Sequence, residues 1–314
     1  AKGSYNERGR LSMSMIVSSI GQVLLWASLG VALFLTFRIL DFADMTVEGT
    51  FPLGAAVAVT AIANGMNPYL ASGLAFIAGA LAGLVTALLY TKGKVPILLA
   101  GILVMTACSS SNLRVMGGSS NVSLLGKTTI FSGAFLKSLP KYFDSVLVGL
   151  VVIAIITVLL IIFLQTNLGQ AFIVTGDNRV MARSIGINTD NMTIMGLMVS
   201  NGIIGLGGAL IAQNNGYADV SMGIGIIVIA LASIIIGEVV FGELTLNQRL
   251  VAVTLGSVIY QFVRLLVLQL GFNTNDMNLL SALILAICLM LPRLSKALHL
   301  NHVIKKGVAK YDAE

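Results

Sequence analysis

Charge is what this sequence has least of. Asp, Glu, Lys and Arg together make 10% of 314 residues, against about 25% in a soluble domain. A chain this poor in charge cannot clothe itself for water, so lipid must solvate most of its surface. Cysteine is nearly absent as well. Cys108 and Cys288 both lie in apolar runs without metal-type spacing, which makes them packing residues. The two histidines, His299 and His302, stand three apart in a polar tail, and two ligands without a third make no metal centre. No run of like charge and no basic–aromatic interleaving occurs, so the net charge of +6 is no sign of nucleic acid. No nucleophile–base set is present either, which argues against intrinsic catalysis. Gly126-Lys127-Thr128 imitates the end of a phosphate-binding loop, but Asn121 stands where that loop requires glycine.

What is present is hydrophobic: 57% of residues and a mean hydropathy of +0.95. A helical span needs about 20 apolar residues. The runs predict an all-α polytopic membrane domain of about nine spans: Ser12–Phe37, Phe51–Ala63, Pro68–Tyr90, Val95–Ala107, Ser145–Leu164, Ile194–Ala212, Met222–Gly237, Leu250–Leu270 and Asn278–Leu291. The runs are too long and too unbroken for a membrane β-barrel. Gly79 and Gly83, with Ala75 and Ala82, form a small-residue stripe that predicts close helix packing. The tail after Leu291 is basic, which places it inside the cell. Counting back puts 91–94, 165–193 and 239–249 inside and 109–144 outside. Arg114, Lys127, Lys137 and Lys141 in that outer segment run against the rule, although longer loops bias topology less.

An internal repeat is legible. Phe42-Ala-Asp-Met-Thr-Val47 matches Tyr217-Ala-Asp-Val-Ser-Met222, and each copy opens a short apolar span. The predicted topology sets the copies at opposite faces, an inverted repeat of about 30–116 and 205–293, as many transporters have. Charge near lipid is costly and needs a reason. Asp44 and Asp219 suit capping of the next helix; they also suit a solute pathway lined by broken helices. The pathway candidates are Asp44, Thr46, Glu48, Asn201, Gln213, Asp219 and Ser221. Arg264 joins them because it lies too deep in its span to snorkel, and it needs either a structural partner or an anion.

The segment 165–193 carries most information. Asp177 reads as a helix N-cap and Gly186 as a helix stop. Between them Val180, Met181, Ser184 and Ile185 share one side, and Arg179 and Arg183 share another. Such a helix either rests on the membrane surface or docks a cytoplasmic partner.

The pattern Gly169…Gly176-Asp-Asn…Ala182…Gly186-Ile-Asn resembles the cytoplasmic coupling loop of ABC importer permeases. Arg38-Ile-Leu-Asp-Phe-Ala-Asp-Met-Thr-Val-Glu-Gly-Thr-Phe-Pro-Leu-Gly54 and the stretch Tyr217 to Glu238 resemble the branched-chain amino acid and ribose permease family. The likeness covers about Gly21 to Leu294 and is nearest to a bacterial subgroup paired with lipoprotein receptors for aromatic amino acids. It implies a non-catalytic subunit of the bacterial inner membrane, without a cofactor of its own. ATP and Mg would bind a separate ATPase dimer. A second permease copy, as a homodimer, and an extracellular substrate-binding lipoprotein would complete the importer. Asp177, Asn178, Arg179, Val180, Met181, Ala182, Arg183, Ile185 and Gly186 would seat in the ATPase. The implied cargo is an amino acid, aromatic or branched-chain, with a sugar or nucleoside as the alternative. The rival class is an ion-coupled secondary transporter, which needs an intramembrane ion site and has no use for the 177–186 helix.

Overall fold

The computed structural model describes residues 20–133, 143–242, 244–269, 279–283, 285–287 and 290. The chain is a bundle of long apolar helices. In order they are α1 (Ile20–Ile39), α2 (Val47–Ala63), α3 (Pro68–Thr91), α4 (Ile97–Val115), α5 (Phe143–Gln165), α6 (Asn167–Asp177), α7 (Arg179–Ser184), α8 (Thr189–Asn215), α9 (Ile226–Phe241) and α10 (Leu246–Gln269). Six segments are long and apolar enough to cross a membrane: α1, α3, α4, α5, α8, and a run that joins the 3-10 turn Val220–Gly223 to α9. The shorter apolar α2 accompanies them. Among the described residues the first eight expected spans each overlap a helix, although residues 12–19 of the first lie outside the described residues and α10 is not among the segments that qualify as spans. The ninth, Asn278–Leu291, lies partly outside the described residues, and those described there are helical.

Helix ends differ from expectation for local reasons. α4 runs on through Ser109-Ser-Ser-Asn112 to Val115, where hydropathy alone ends the span at Ala107. Those polar residues survive in a helix because their hydroxyls bond the preceding turn: Ser109 donates to the Met105 carbonyl at 3.1 Å and Ser111 to that of Ala107 at 3.0 Å. α8 ends at Gly216, whose φ of 79° only glycine adopts without strain.

α8 is the axis of the bundle. Lipid tails are as apolar as leucine, so close packing of small residues, rather than hydrophobic burial, holds such helices together. α3 shows the division of labour. Leu70, Leu74, Ile77, Leu81, Val85 and Leu88 are exposed along one face. Ala71, Ala75, Gly79, Ala82 and Gly83 are buried along the other. A side-chain carbon at Gly79 would collide with the Asn201 carbonyl of α8, and one at Gly205 would meet the Ala75 carbonyl of α3 at 2.6 Å. The small-residue stripe is therefore the α3–α8 contact.

Two ends of the bundle can be told apart. At one, the α1–α2 loop, the α3–α4 turn, α6 and α7 gather. At the other, a short antiparallel ladder pairs Asn121–Ser123 (β1) with Tyr217–Asp219 (β2), in the register Asn121↔Asp219 and Ser123↔Tyr217. Hydropathy could not foresee this ladder, which joins residues far apart in sequence.

Two helices begin inside the bundle. α2 opens after the loop Leu40–Thr46. α9 opens after β2 and the 3-10 turn, which descend beside α2 until the Gly225 amide donates to Glu48 Oε1 at 3.1 Å. Met105, near the middle of α4, borders the same place. The missing amide of Pro52 frees the Glu48 carbonyl from the helix ladder, and Gly223 packs directly over that carbonyl.

Candidate functional site

The knob at one end of the bundle is built by consecutive caps. Thr166 opens α6 by accepting from the Gly169 amide at 3.1 Å. Asn178, in extended conformation, closes α6 and opens α7, and its Oδ1 accepts from the Met181 amide at 3.0 Å. The expected N-cap at Asp177 is corrected here. Asp177 is the last residue of α6, and the chain kinks one position later, where Asn178 caps equally well. Gly186, at φ 86°, ends α7. Its amide bonds the Arg183 carbonyl, and the Ile187 amide bonds that of Ala182, the Schellman arrangement. Asn188 then caps α8 through the Asn191 amide at 3.1 Å.

The knob is apolar outward, with Arg179 turned inward and Arg183 exposed at its side. Val180 is 80% exposed, Met181 56% and Ile185 60%, while Ala182 is buried. Arg179 turns back into the bundle. Its guanidinium lies 4.5 Å from the Phe42 ring centroid and 5.2 Å from that of Tyr90. It donates to the Tyr90 hydroxyl, and to Thr193 Oγ1 at 3.1 Å. Arg183 donates to Thr189 Oγ1 at 2.9 Å and reaches Asp190 at 3.4 Å. Val180, Met181 and Ile185 thus form an exposed apolar triad on a six-residue helix that is too short to stand alone.

A buried polar network lies above the knob. Asp44 accepts from the Thr46 amide at 2.9 Å and from Asn201 Nδ2 at 2.7 Å. Asn201 Oδ1 accepts from the Thr50 hydroxyl at 2.9 Å. Thr46 and Thr86 share a hydroxyl–hydroxyl bond of 2.8 Å. The network joins the α1–α2 loop, α2, α3 and α8, and Asp44, Thr46, Thr50, Thr86 and Asn201 are all buried. Gln213 ties the other end. It donates to Ser72 Oγ at 2.8 Å and accepts from the Ile130 amide at 3.2 Å.

The remaining carboxylates are accessible. A cleft of about 560 Å³ is lined by Glu48, Met105, Ser109, Ser120, Asp219 and Ser221, among others. Glu48 sits there against the amino-terminal end of α9, where the helix dipole favours a negative charge. Asp219 accepts from the Ser221 hydroxyl, and from its amide at 2.7 Å. Those bonds, helped by Asn121, hold its carboxyl below the usual carboxylate range. Asp44 and Asp219 therefore make the same turn, each accepting the amide two residues on. Of the pathway candidates, Glu48, Asp219 and Ser221 line the cleft, whereas Asp44, Thr46, Asn201 and Gln213 are sealed within the chain. Arg264 lies on α10, one turn beyond Tyr260, and has no hydrogen-bond or ion-pair partner among the described residues.

Sequence reasoning missed one pair. Arg38 at the end of α1 grips Glu238 near the end of α9 with Nε and Nη2, the Nε bond being 2.6 Å. A lone arginine in the last turn of one apolar span and a lone glutamate in that of another were the available signal.

A bundle with six helices long and apolar enough to cross a bilayer is that of a multi-pass membrane protein. The chain belongs to the branched-chain amino acid transport system / permease component family, whose sequence model matches residues 15–290. It is 39% identical to the tyrosine transport system permease protein of Clostridioides difficile (strain R20291) over 273 residues, 87% of this chain and 90% of that one. It is 31% identical to an uncharacterised protein of Rickettsia prowazekii (strain Madrid E), over 88% of this chain and 97% of that one. It is 25% identical to the autoinducer 2 import system permease protein LsrC of Yersinia enterocolitica, over 73% of this chain and 61% of that one. No solved structure matches the chain.

Proposed function

We propose that this permease is the membrane-spanning subunit of an ATP-driven importer for an amino acid, an aromatic one such as tyrosine before a branched-chain one. The cargo reading rests on the likeness to a tyrosine permease across nine-tenths of that protein. The ATP-driven reading rests on the outward apolar triad Val180, Met181 and Ile185. Such a triad fits the groove of a cytoplasmic ATPase, which would bind ATP and Mg. Two ATPases would serve two permease copies, and an extracellular lipoprotein would deliver the solute. Asn178, Val180, Met181, Ile185 and Gly186 shape the docking surface, with Asp177 and Ala182 supporting it.

The knob end then faces the cytoplasm and the β1–β2 end the exterior of a bacterial inner membrane. ATP-driven closure of the ATPases would tilt the bundle and change which side of the cleft is open. That transmission needs differential contact in two states. Glu48, Asp219 and Ser221 border the solute route, and the sealed Asp44–Asn201 network carries the helices that move. The matching turns at Asp44 and Asp219 support an inverted duplication.

The test is uptake of radiolabelled tyrosine into vesicles containing the permease, its receptor and the ATPase encoded beside it. Val180→Glu with Met181→Glu is expected to abolish ATPase co-purification and uptake. Uptake by the permease alone, driven by an ion gradient, would support a secondary transporter instead.

A further inference from the structure

Arg179 stands on α7 but turns away from the exposed triad Val180, Met181 and Ile185, into the bundle. Its cation lies against two rings from separate elements, Phe42 in the α1–α2 loop and Tyr90 near the end of α3. Those rings meet edge to face, with centroids 5.3 Å apart. Its two terminal nitrogens are spent on Tyr90 and on Thr193 of α8. One side chain thus joins α7 to the α1–α2 loop, α3 and α8. A guanidinium suits this role because its planar fork can bond in two directions while its face stacks on aromatics.

Phe42 adds the next link. Two residues on, Asp44 is held by Asn201, and Thr46 by Thr86 at the opening of α2. Two chains of contacts therefore run from Arg179 to the α2 opening. One runs through the loop from Phe42 to Asp44, and the other through α3 from Tyr90 to Thr86. Glu48, on the cleft, is the second residue of α2.

We infer that Arg179 is a positioning residue that transmits movement of the docking helix to the opening of α2 and so to the cleft. It would act inside the permease and would not contact the ATPase. The inference rests on the reading of α7 as the ATPase contact, and the two fail in different ways.

The experiment uses the full permease co-expressed with the ATPase encoded beside it, in lipid nanodiscs. Ser109→Cys places a reporter thiol on the cleft, and its labelling by a charged methanethiosulfonate is timed without nucleotide and with ATP and vanadate. Nucleotide should change the labelling rate in the parent. In Arg179→Gln the ATPase should co-purify at parental yield, while the nucleotide-dependent change shrinks by roughly tenfold, the factor that 1.4 kcal/mol of lost coupling gives. Tyr90→Phe keeps the ring, loses the hydroxyl acceptor, and should give a smaller loss in the same direction. It serves if Arg179→Gln fails to fold. Parental nucleotide response in both variants, or loss of the ATPase in Arg179→Gln, would overturn the inference. Retention of the ATPase by Val180→Glu with Met181→Glu would instead overturn the docking reading.

Discussion

Replacing Asn201 by alanine tests the buried network most sharply. The asparagine donates to Asp44 and to the Leu197 carbonyl, and accepts from Thr50. Alanine strips a donor from a buried carboxylate, which costs about 2 kcal/mol or more. The void adds about 1–2 kcal/mol. Thr50 keeps only its long bond to the Val47 carbonyl, at 3.3 Å. The sum is about 3–4 kcal/mol, or roughly 10 °C in midpoint at about 2–4 °C per kcal/mol for a chain of this size. Cys108, 5% exposed, supplies the assay. In a Cys288→Ser background, a thiol-reactive dye reports the temperature at which Cys108 becomes accessible. Asp44→Asn should cost less alone, and the double variant should cost less than the two singles together, since neighbours in one network couple. A drop below about 2 °C, or strict additivity, would refute the network as a structural lock.

Other outcomes are expected from particular contacts. Gly205→Leu should leave little monodisperse protein on size-exclusion chromatography, because the α3 backbone occupies the space a side chain would need. Arg38→Glu should lower the thermal midpoint slightly, and adding Glu238→Arg should restore it. The pair is partly exposed, so the change should correspond to about 1 kcal/mol or less. Asp219 has a lowered pKa, so its contribution is complete above the ordinary carboxylate value of about 4 and fades as pH falls through the lowered one. The difference in thermal midpoint between parent and Asp219→Asn should therefore be flat from pH 7 to 5 and close only below about pH 4.

Most spans were legible because lipid demands long apolar runs, and the packing face of α3 because small residues at four-residue spacing are rare without a purpose, while its partner α8 came from the fold alone. The knob was legible because Gly186 is a helix stop, although its N-cap was read one residue early, at Asp177 in place of Asn178. Its facing was harder to read. The periodicity put Arg179 opposite Val180 and Met181, but only the fold brings Phe42, Tyr90 and Thr193 to meet it. The carboxylates divided for the same reason. Asp44 and Asp219 look alike in sequence and make the same turn, yet one is sealed against Asn201 while the other borders open space. That difference lies in which helix packs beside each, and spacing along one chain does not encode it. The β1–β2 ladder was hidden because it is three residues long and pairs segments nearly a hundred positions apart.

The central claim is that α7 presents its apolar face to a separate ATPase inside the cell, and a photocrosslinker tests it directly. Benzophenone attached through Val180→Cys, in a Cys288→Ser background and in intact cells, should yield on illumination a covalent adduct with the ATPase subunit. Adducts with lipid or receptor alone, or labelling of that thiol by an impermeant reagent added outside the cells, would contradict the account.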